Sequence, residues 1–309
     1  MQGKLVTLIG GGGFLGRYVA QELLRREARL RITQRDPKEA YFIRPLGGLG
    51  QTQFVAADIR RSETIARAIE GSDAVVNLVG VLNGDFQEFH VAGPGNLARA
   101  CAEAGVPALV HVSAIGADPR STSAYGRSKG EGEAAVRGGF PAATILRPSI
   151  VFGREDQFVN RFAGMIAGAP VVPIVRAGVK FQPVYVADVA EAVARVLAEP
   201  GLAAKTFELG GPDVVTMGGL QRWIAKAIGA SPQFIELPDA VSAMIARAGF
   251  LPGAPITWDQ WLMLQRDNVV APGAEGLAAL GVMPTPLETV APGWLVRFRR
   301  HGRFTPVQA

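Results

Sequence analysis

An α/β fold with a parallel sheet covered by helices on both faces is predicted by three features of the 309-residue sequence. Short apolar runs alternate with helix-spaced segments over residues 1–150, and four consecutive glycines, residues 10–13, link the first run to the first helix. The composition, 48% hydrophobic with 38 glycines, is that of a chain able to bury a large core. Strand–helix alternation at this length requires right-handed crossovers, which makes the sheet doubly wound and of Rossmann type. Residues 1–150 are read as this dinucleotide-binding core, and residues 151–309 as a smaller, mostly helical lobe interleaved with it.

Leu5–Ile9 reads as a buried first strand, and residues 14–26 carry Phe14, Leu15, Tyr18, Val19 and Leu23 at helical spacing. The loop between them fits two registers, Gly11-x-Gly13-x-x-Gly16 and Gly10-x-x-Gly13-x-x-Gly16. A backbone without side chains can approach a pyrophosphate there. The helix start adds unpaired N–H groups and the positive end of its dipole. Gly10, Gly13, Phe14, Leu15, Gly16 and Arg17 are therefore candidate cofactor contacts.

Residues 30–33 form the second predicted strand, followed by Gln34-Arg35-Asp36-Pro37. Arg35 is nearest the position that reads the ribose 2′ substituent. A guanidinium there suits a 2′-phosphate, and Arg17 can reach the same group, which favours NADP(H) over NAD(H). Asp36, one residue on, could instead serve an NAD ribose. After a third strand over residues 53–55, Asp58 is placed to meet the adenine. A helix over 63–70 leads to a fourth strand over 74–79. Its end, Asn77 to Gly80 with Val79, should pass beneath the ribose and pyrophosphate. A helix over 88–103 carries the single cysteine, Cys101, as core filler; a fifth strand over 108–113 ends in Ser113; and a sixth covers 143–146.

Between the last two strands a helix over 125–137 opens with Tyr125-Gly126-Arg127-Ser128-Lys129. Residues i and i+4 share a helix face, so the Lys129 ammonium is expected beside the Tyr125 phenol, lowering its pKa. Tyr125 could then act as general acid or base while hydride moves to or from a nicotinamide. Lys129 would also bind the nicotinamide ribose, and Ser113 would orient the substrate oxygen. A protein that binds the cofactor without turning it over would need the same Lys129.

Beyond residue 150 helices are expected over 156–167, 187–197, 216–229, 237–249 and 258–264, with a returning strand at Thr206–Leu209. Trp223, Trp258, Trp261 and Trp294 are read either as lining an apolar cleft or, as is commoner, as core residues. One cysteine rules out an internal disulfide framework, and His90, His111 and His301 show no metal-ligand spacing. No run reaches the length of a membrane span. The net charge of +5 is concentrated in the arginine- and aromatic-rich stretch 296–304, suited to anionic lipid or an acidic partner. No nucleic-acid-binding module accompanies it.

The motifs together resemble an extended or atypical short-chain dehydrogenase/reductase. They are the glycine loop, Ser113, Tyr125/Lys129, and Leu146-Arg147-Pro148-Ser149 followed by Val151-Phe152-Gly153. The resemblance implies that Pro148 and Ser149 lie against the nicotinamide. The run Phe152-Gly153-Arg154-Glu155-Asp156-Gln157-Phe158-Val159-Asn160 is similar to the NADPH-binding accessory subunits of respiratory complex I, as are residues 41–51, 182–189 and 280–288. That likeness implies a tightly held NADPH, partners among complex I subunits or at a membrane surface through the basic C-terminal segment, and a role in assembly. With no presequence, it points to a bacterial relative in the cytoplasm or at the inner face of the cytoplasmic membrane. The alternative is an active NAD(P)H-dependent reductase or epimerase on a lipophilic or ubiquinone-pathway substrate.

Overall fold

The computed structural model describes residues 1–249, 251 and 256–304. Two compact units are present. The first comprises Met1–Pro148, Val186–Leu209 and Pro272–Met283; the second comprises Ser149–Tyr185, Gly210–Ala271 and Pro284–Ala309.

The first unit is built on seven strands: β1 Leu5–Ile9, β2 Arg29–Gln34, β3 Thr52–Ala56, β4 Ala74–Asn77, β5 Leu109–Val112, β6 Thr144–Pro148 and β7 Thr206–Leu209. They run parallel in the order β7-β6-β5-β4-β1-β2-β3. Every residue of β4 and β5 is buried, as expected of strands covered on both faces. The helices are α1 Phe14–Arg25, α2 Ser62–Ile69, α3 Gly93–Glu103, α4 Ala124–Gly139 and α5 Val186–Ala198. On one face α2, α3 and α4 bury Ile65, Ile69, Leu97, Cys101 and Val136 against Ile9, Val75 and Ile145. The strand order reverses between β1 and β4, and ligands of open α/β sheets bind at such a switch point.

Two local differences from the sequence reading have physical causes. The fourth strand ends at Asn77 because the Asn77 Oδ1 accepts the Val79 N–H at 3.1 Å, turning the chain out of the sheet. The helix expected over 88–103 is wound as a π turn over Gln87–Ala92 before α3 begins. Pro94 lacks the N–H that would bond to the His90 carbonyl four residues back, and the Gly93 N–H reaches five residues back to Glu88.

The second unit holds helices Val159–Gly168, Met217–Ile228, Asp239–Arg247 and Trp258–Met263, with the parallel strand pair Val171–Val175 and Gln233–Leu237. Its core gathers Phe152, Val159, Ile166, Leu220, Ile224 and Leu295. The helix expected to open at Asp156 starts at Val159. The Asp156 carboxylate stands before it and accepts the N–H groups of Phe158 and Val159 at 2.8 and 2.6 Å.

Candidate functional site

The glycine loop is shaped by contacts that leave no room for side chains. Gly10 has φ 77°, in the left-handed region, and a Cβ there would stand 2.9 Å from Val79 Cγ2. A Cβ on Gly16 would overlap the Gly11 carbonyl, so this glycine lets α1 start directly over the loop. Gly13 is the N-cap; no side chain among the described residues caps it, and the first turn contains no acid. Phe14, Leu15, Gly16 and Arg17 thus form an uncapped helix start at the switch point, which suits an anion.

At the ends of β2 and β3 the charges are arranged unevenly. Arg35 is exposed just past β2. Asp36 is the N-cap of a 3₁₀ helix, Pro37–Leu46, and its Oδ1 accepts the Lys38 N–H at 3.0 Å. The Arg17 guanidinium lies 4.1 Å from the centre of the Phe42 ring on that helix. Asp58 is bound by Arg60, with Nη2 to Oδ2 at 2.6 Å. That bond, with the charges of Arg60 and Arg35, holds its carboxyl below the usual range. Phe42 and Arg60 carry no motif that would have marked them in the sequence.

Ser113 follows β5, where its N–H donates to the Leu146 carbonyl at 2.7 Å. Its Oγ is buried and has no hydrogen-bond partner among the described residues. Ser123 caps α4 by accepting the Gly126 N–H, and Tyr125 and Lys129 follow one turn apart. The Lys129 Nζ donates to the Val112 carbonyl at 3.1 Å, which brings the ammonium to the end of β5 beside Ser113.

The expected lowering of the phenol is not what the structure has. Burial pushes Tyr125 up to about 12 and Lys129 down to about 8, with Glu133 opposing the latter. Glu133, one turn beyond Lys129, is held by both Arg147 Nε and Nη2 at 2.9 and 2.7 Å, and Arg147 also meets Glu208 at 3.4 Å. Charges therefore alternate from α4 through β6 to β7.

Asn77 is buried and donates from Nδ2 to His111 Nδ1 at 3.0 Å. Val79 and Gly80 follow in the turn against Gly10. Pro148 closes β6, its carbonyl accepting the Ile115 N–H at 3.0 Å. Ser149 opens the second unit and donates to both Asn268 oxygens, 3.0 Å to O and 2.6 Å to Oδ1.

The tryptophans of the second unit do not line one cleft. Trp223 and Trp294 pack on the core around Leu220, Trp261 belongs to a separate cluster with Ala246 and Ile256, and Trp258 is exposed. In the basic tail, Arg297 Nη2 donates to the Arg154 carbonyl and Arg299 Nε to that of Ala227. Among the described residues there is no group of His, Cys, Asp and Glu arranged for a metal ion. Among the described residues no helix is long and apolar enough to cross a membrane.

A parallel sheet, a glycine loop at its switch point and an uncapped helix start define an NAD(P)-binding α/β protein. The model of the NAD dependent epimerase/dehydratase family matches residues 6–210, two thirds of the chain, and the protein belongs to that family. It is 38% identical over 297 residues to the mitochondrial NADH dehydrogenase (ubiquinone) 1 alpha subcomplex subunit 9 of Rattus norvegicus, covering 93% of this chain and 78% of that one. The mitochondrial NADH-ubiquinone oxidoreductase 40 kDa subunit of Neurospora crassa is 29% identical, over 98% of this chain and 81% of its own length. Among solved structures, the NADPH-dependent quinone oxidoreductase QOR2 of Escherichia coli, complexed with NADPH, shares the fold with a TM-score of 0.76. It is 22% identical, and the match covers 93% of this chain and 98% of that one.

Proposed function

We propose that this protein holds NADP(H) across the switch point of its sheet as an accessory subunit of a respiratory NADH:quinone oxidoreductase, complex I, or of a related complex. The observation that carries this reading is the near full-length 38% identity to a complex I subunit. Gly10, Gly13 and the start of α1 would take the pyrophosphate, Asp58 would border the adenine, and Asn77 to Gly80 would lie beneath the ribose. Arg35, with Arg17, would pair with the 2′-phosphate. Asp36 is already turned to its own helix start, which supports NADP(H) over NAD(H). Lys129 would hold the nicotinamide ribose, and Pro148 with Ser149 would border the ring. The exposed end of the basic tail, with Arg300 and Phe304, would meet partner subunits or the membrane at its inner face.

A specific observation favours a second reading, an active reductase: the Oγ of Ser113 beside Lys129, buried and without a hydrogen-bond partner among the described residues, is the environment of a group awaiting a substrate oxygen. A nicotinamide held there would supply the hydride. A phenol raised to about 12 stays protonated at neutral pH, so Tyr125 is suited to donate a proton to a carbonyl rather than to take one from an alcohol. Purification with analysis of the retained nucleotide and co-purifying proteins tests the first reading. NADPH and complex I subunits, both unaffected by Tyr125→Phe, are expected. Turnover of carbonyl or quinone substrates that is abolished by Tyr125→Phe would replace that reading with the second.

A further inference from the structure

His90 stands outside every motif of the site, yet it is 1% exposed and fully engaged. Its Nε2 accepts the Val81 N–H at 3.0 Å, in the turn that follows β4. An N–H can only donate, so Nε2 carries the lone pair and the neutral ring carries its proton on Nδ1. Nδ1 lies 2.9 Å from Ser128 Oγ, and Ser128 Oγ donates its own hydrogen to the Tyr125 carbonyl at 2.9 Å. The bonds therefore all run one way, from the Val81 amide through the imidazole and the hydroxyl to the first turn of α4.

Packing fixes the ring in the same place. His90 is stacked on Phe86 at 5.2 Å between centroids and meets the edge of Tyr125 at 5.5 Å. Its carbonyl, for which Pro94 offers no N–H four residues on, fills the space where a Cβ of Gly132 would stand. Burial and the nearby Lys129 ammonium push its pKa down to about 4, which keeps the neutral form at physiological pH.

The turn that His90 holds runs from Asn77 to Val81 and touches the glycine loop through Val79. It lies on the β4 side of the switch point, together with Ser113 and Lys129, while Arg35 and Asp58 lie on the β2–β3 side. We propose that His90 is a positioning residue that clamps the Leu78–Val81 turn against the nicotinamide half of the bound dinucleotide and ties it to the helix of Tyr125 and Lys129. This rests on the reading that the protein holds NADP(H).

His90→Phe keeps the stacked ring and removes both hydrogen bonds; His90→Gln restores an acceptor and a donor. In nucleotide-free protein, hydrogen exchange at the Val81 amide should accelerate about tenfold in His90→Phe, the scale of one lost buried hydrogen bond, and return toward the wild-type rate in His90→Gln. NADPH dissociation, followed by nicotinamide fluorescence, should accelerate about tenfold in His90→Phe and within about threefold in His90→Gln. The affinity for 2′,5′-ADP, which lacks the nicotinamide half, should stay within about twofold of wild type. Unchanged Val81 exchange, or NADPH and 2′,5′-ADP weakened equally, would overturn the positioning role. Wild-type protein that binds neither nucleotide would instead remove the holding function, and the clamp with it.

Discussion

Arg35 and Asp36 are neighbours with opposite charges, and only one is left facing outward without a backbone task. Asp36 caps the Pro37–Leu46 turn, so Arg35→Ala should raise the Kd for NADPH about 10- to 100-fold while NADH changes little; titration of both nucleotides reads the difference. Lys129 gives a second prediction. Its folded pKa, about 8, lies below the ordinary 10.5. Below pH 8 the folded and unfolded chains both carry the proton and the buried ammonium costs stability; between about 8 and 10.5 the unfolded chain binds more protons, so stability rises with pH. Lys129→Met should therefore raise the Tm of nucleotide-free protein at pH 7, flatten that rise, and abolish the further increase that NADPH produces. Glycines, Tyr125 and Lys129 were legible because their spacing alone carries chemistry. His90 and His111 were not, because their partners Ser128 and Asn77 are 38 and 34 residues away in the chain.

At the scale of elements, β1 and α1 followed from an apolar run and from helical spacing, and α4 from the segment that opens with Tyr125; β1 keeps its expected bounds, and the ends of α1 and α4 moved by only one or two positions. The π turn before α3 escaped notice because apolar spacing does not distinguish a four-residue from a five-residue hydrogen-bond step; Pro94 was its one visible sign. The closeness of that turn to α4 predicts that Gly132→Ala forces the two apart, destabilising the protein by about 2 kcal/mol in urea unfolding. The Glu133–Arg147–Glu208 series ties α4, β6 and β7 together. Removing the Glu133 carboxylate leaves the half-buried Arg147 guanidinium with the longer contact to Glu208. Glu133→Ala should thus cost about 2 kcal/mol, less in a background already lacking Arg147, as a double-mutant cycle would record.

For the whole molecule, strand–helix alternation was enough to draw six strands of the sheet, since each crossover constrains the next. The second unit was less legible: three of its Trp side chains divide between two clusters while Trp258 is exposed, a division that no spacing could have shown. Family membership extends the fold reading to function only through the likeness to complex I subunits. Truncation after Leu295 tests the part assigned to the tail. It removes the Arg297 and Arg299 contacts, so it should lower Tm by a few degrees and abolish co-purification with partners while leaving NADPH affinity unchanged. The seventh strand lies nearly sixty residues downstream of its neighbour β6, and the Pro272–Met283 segment of the same unit comes later still. A ribosome that has released the first 150 residues has therefore made the whole glycine loop and the whole Tyr125 helix, yet β6 still shows an unpaired edge. Until β7 emerges, the nascent chain presents a sticky border that a chaperone has reason to cover.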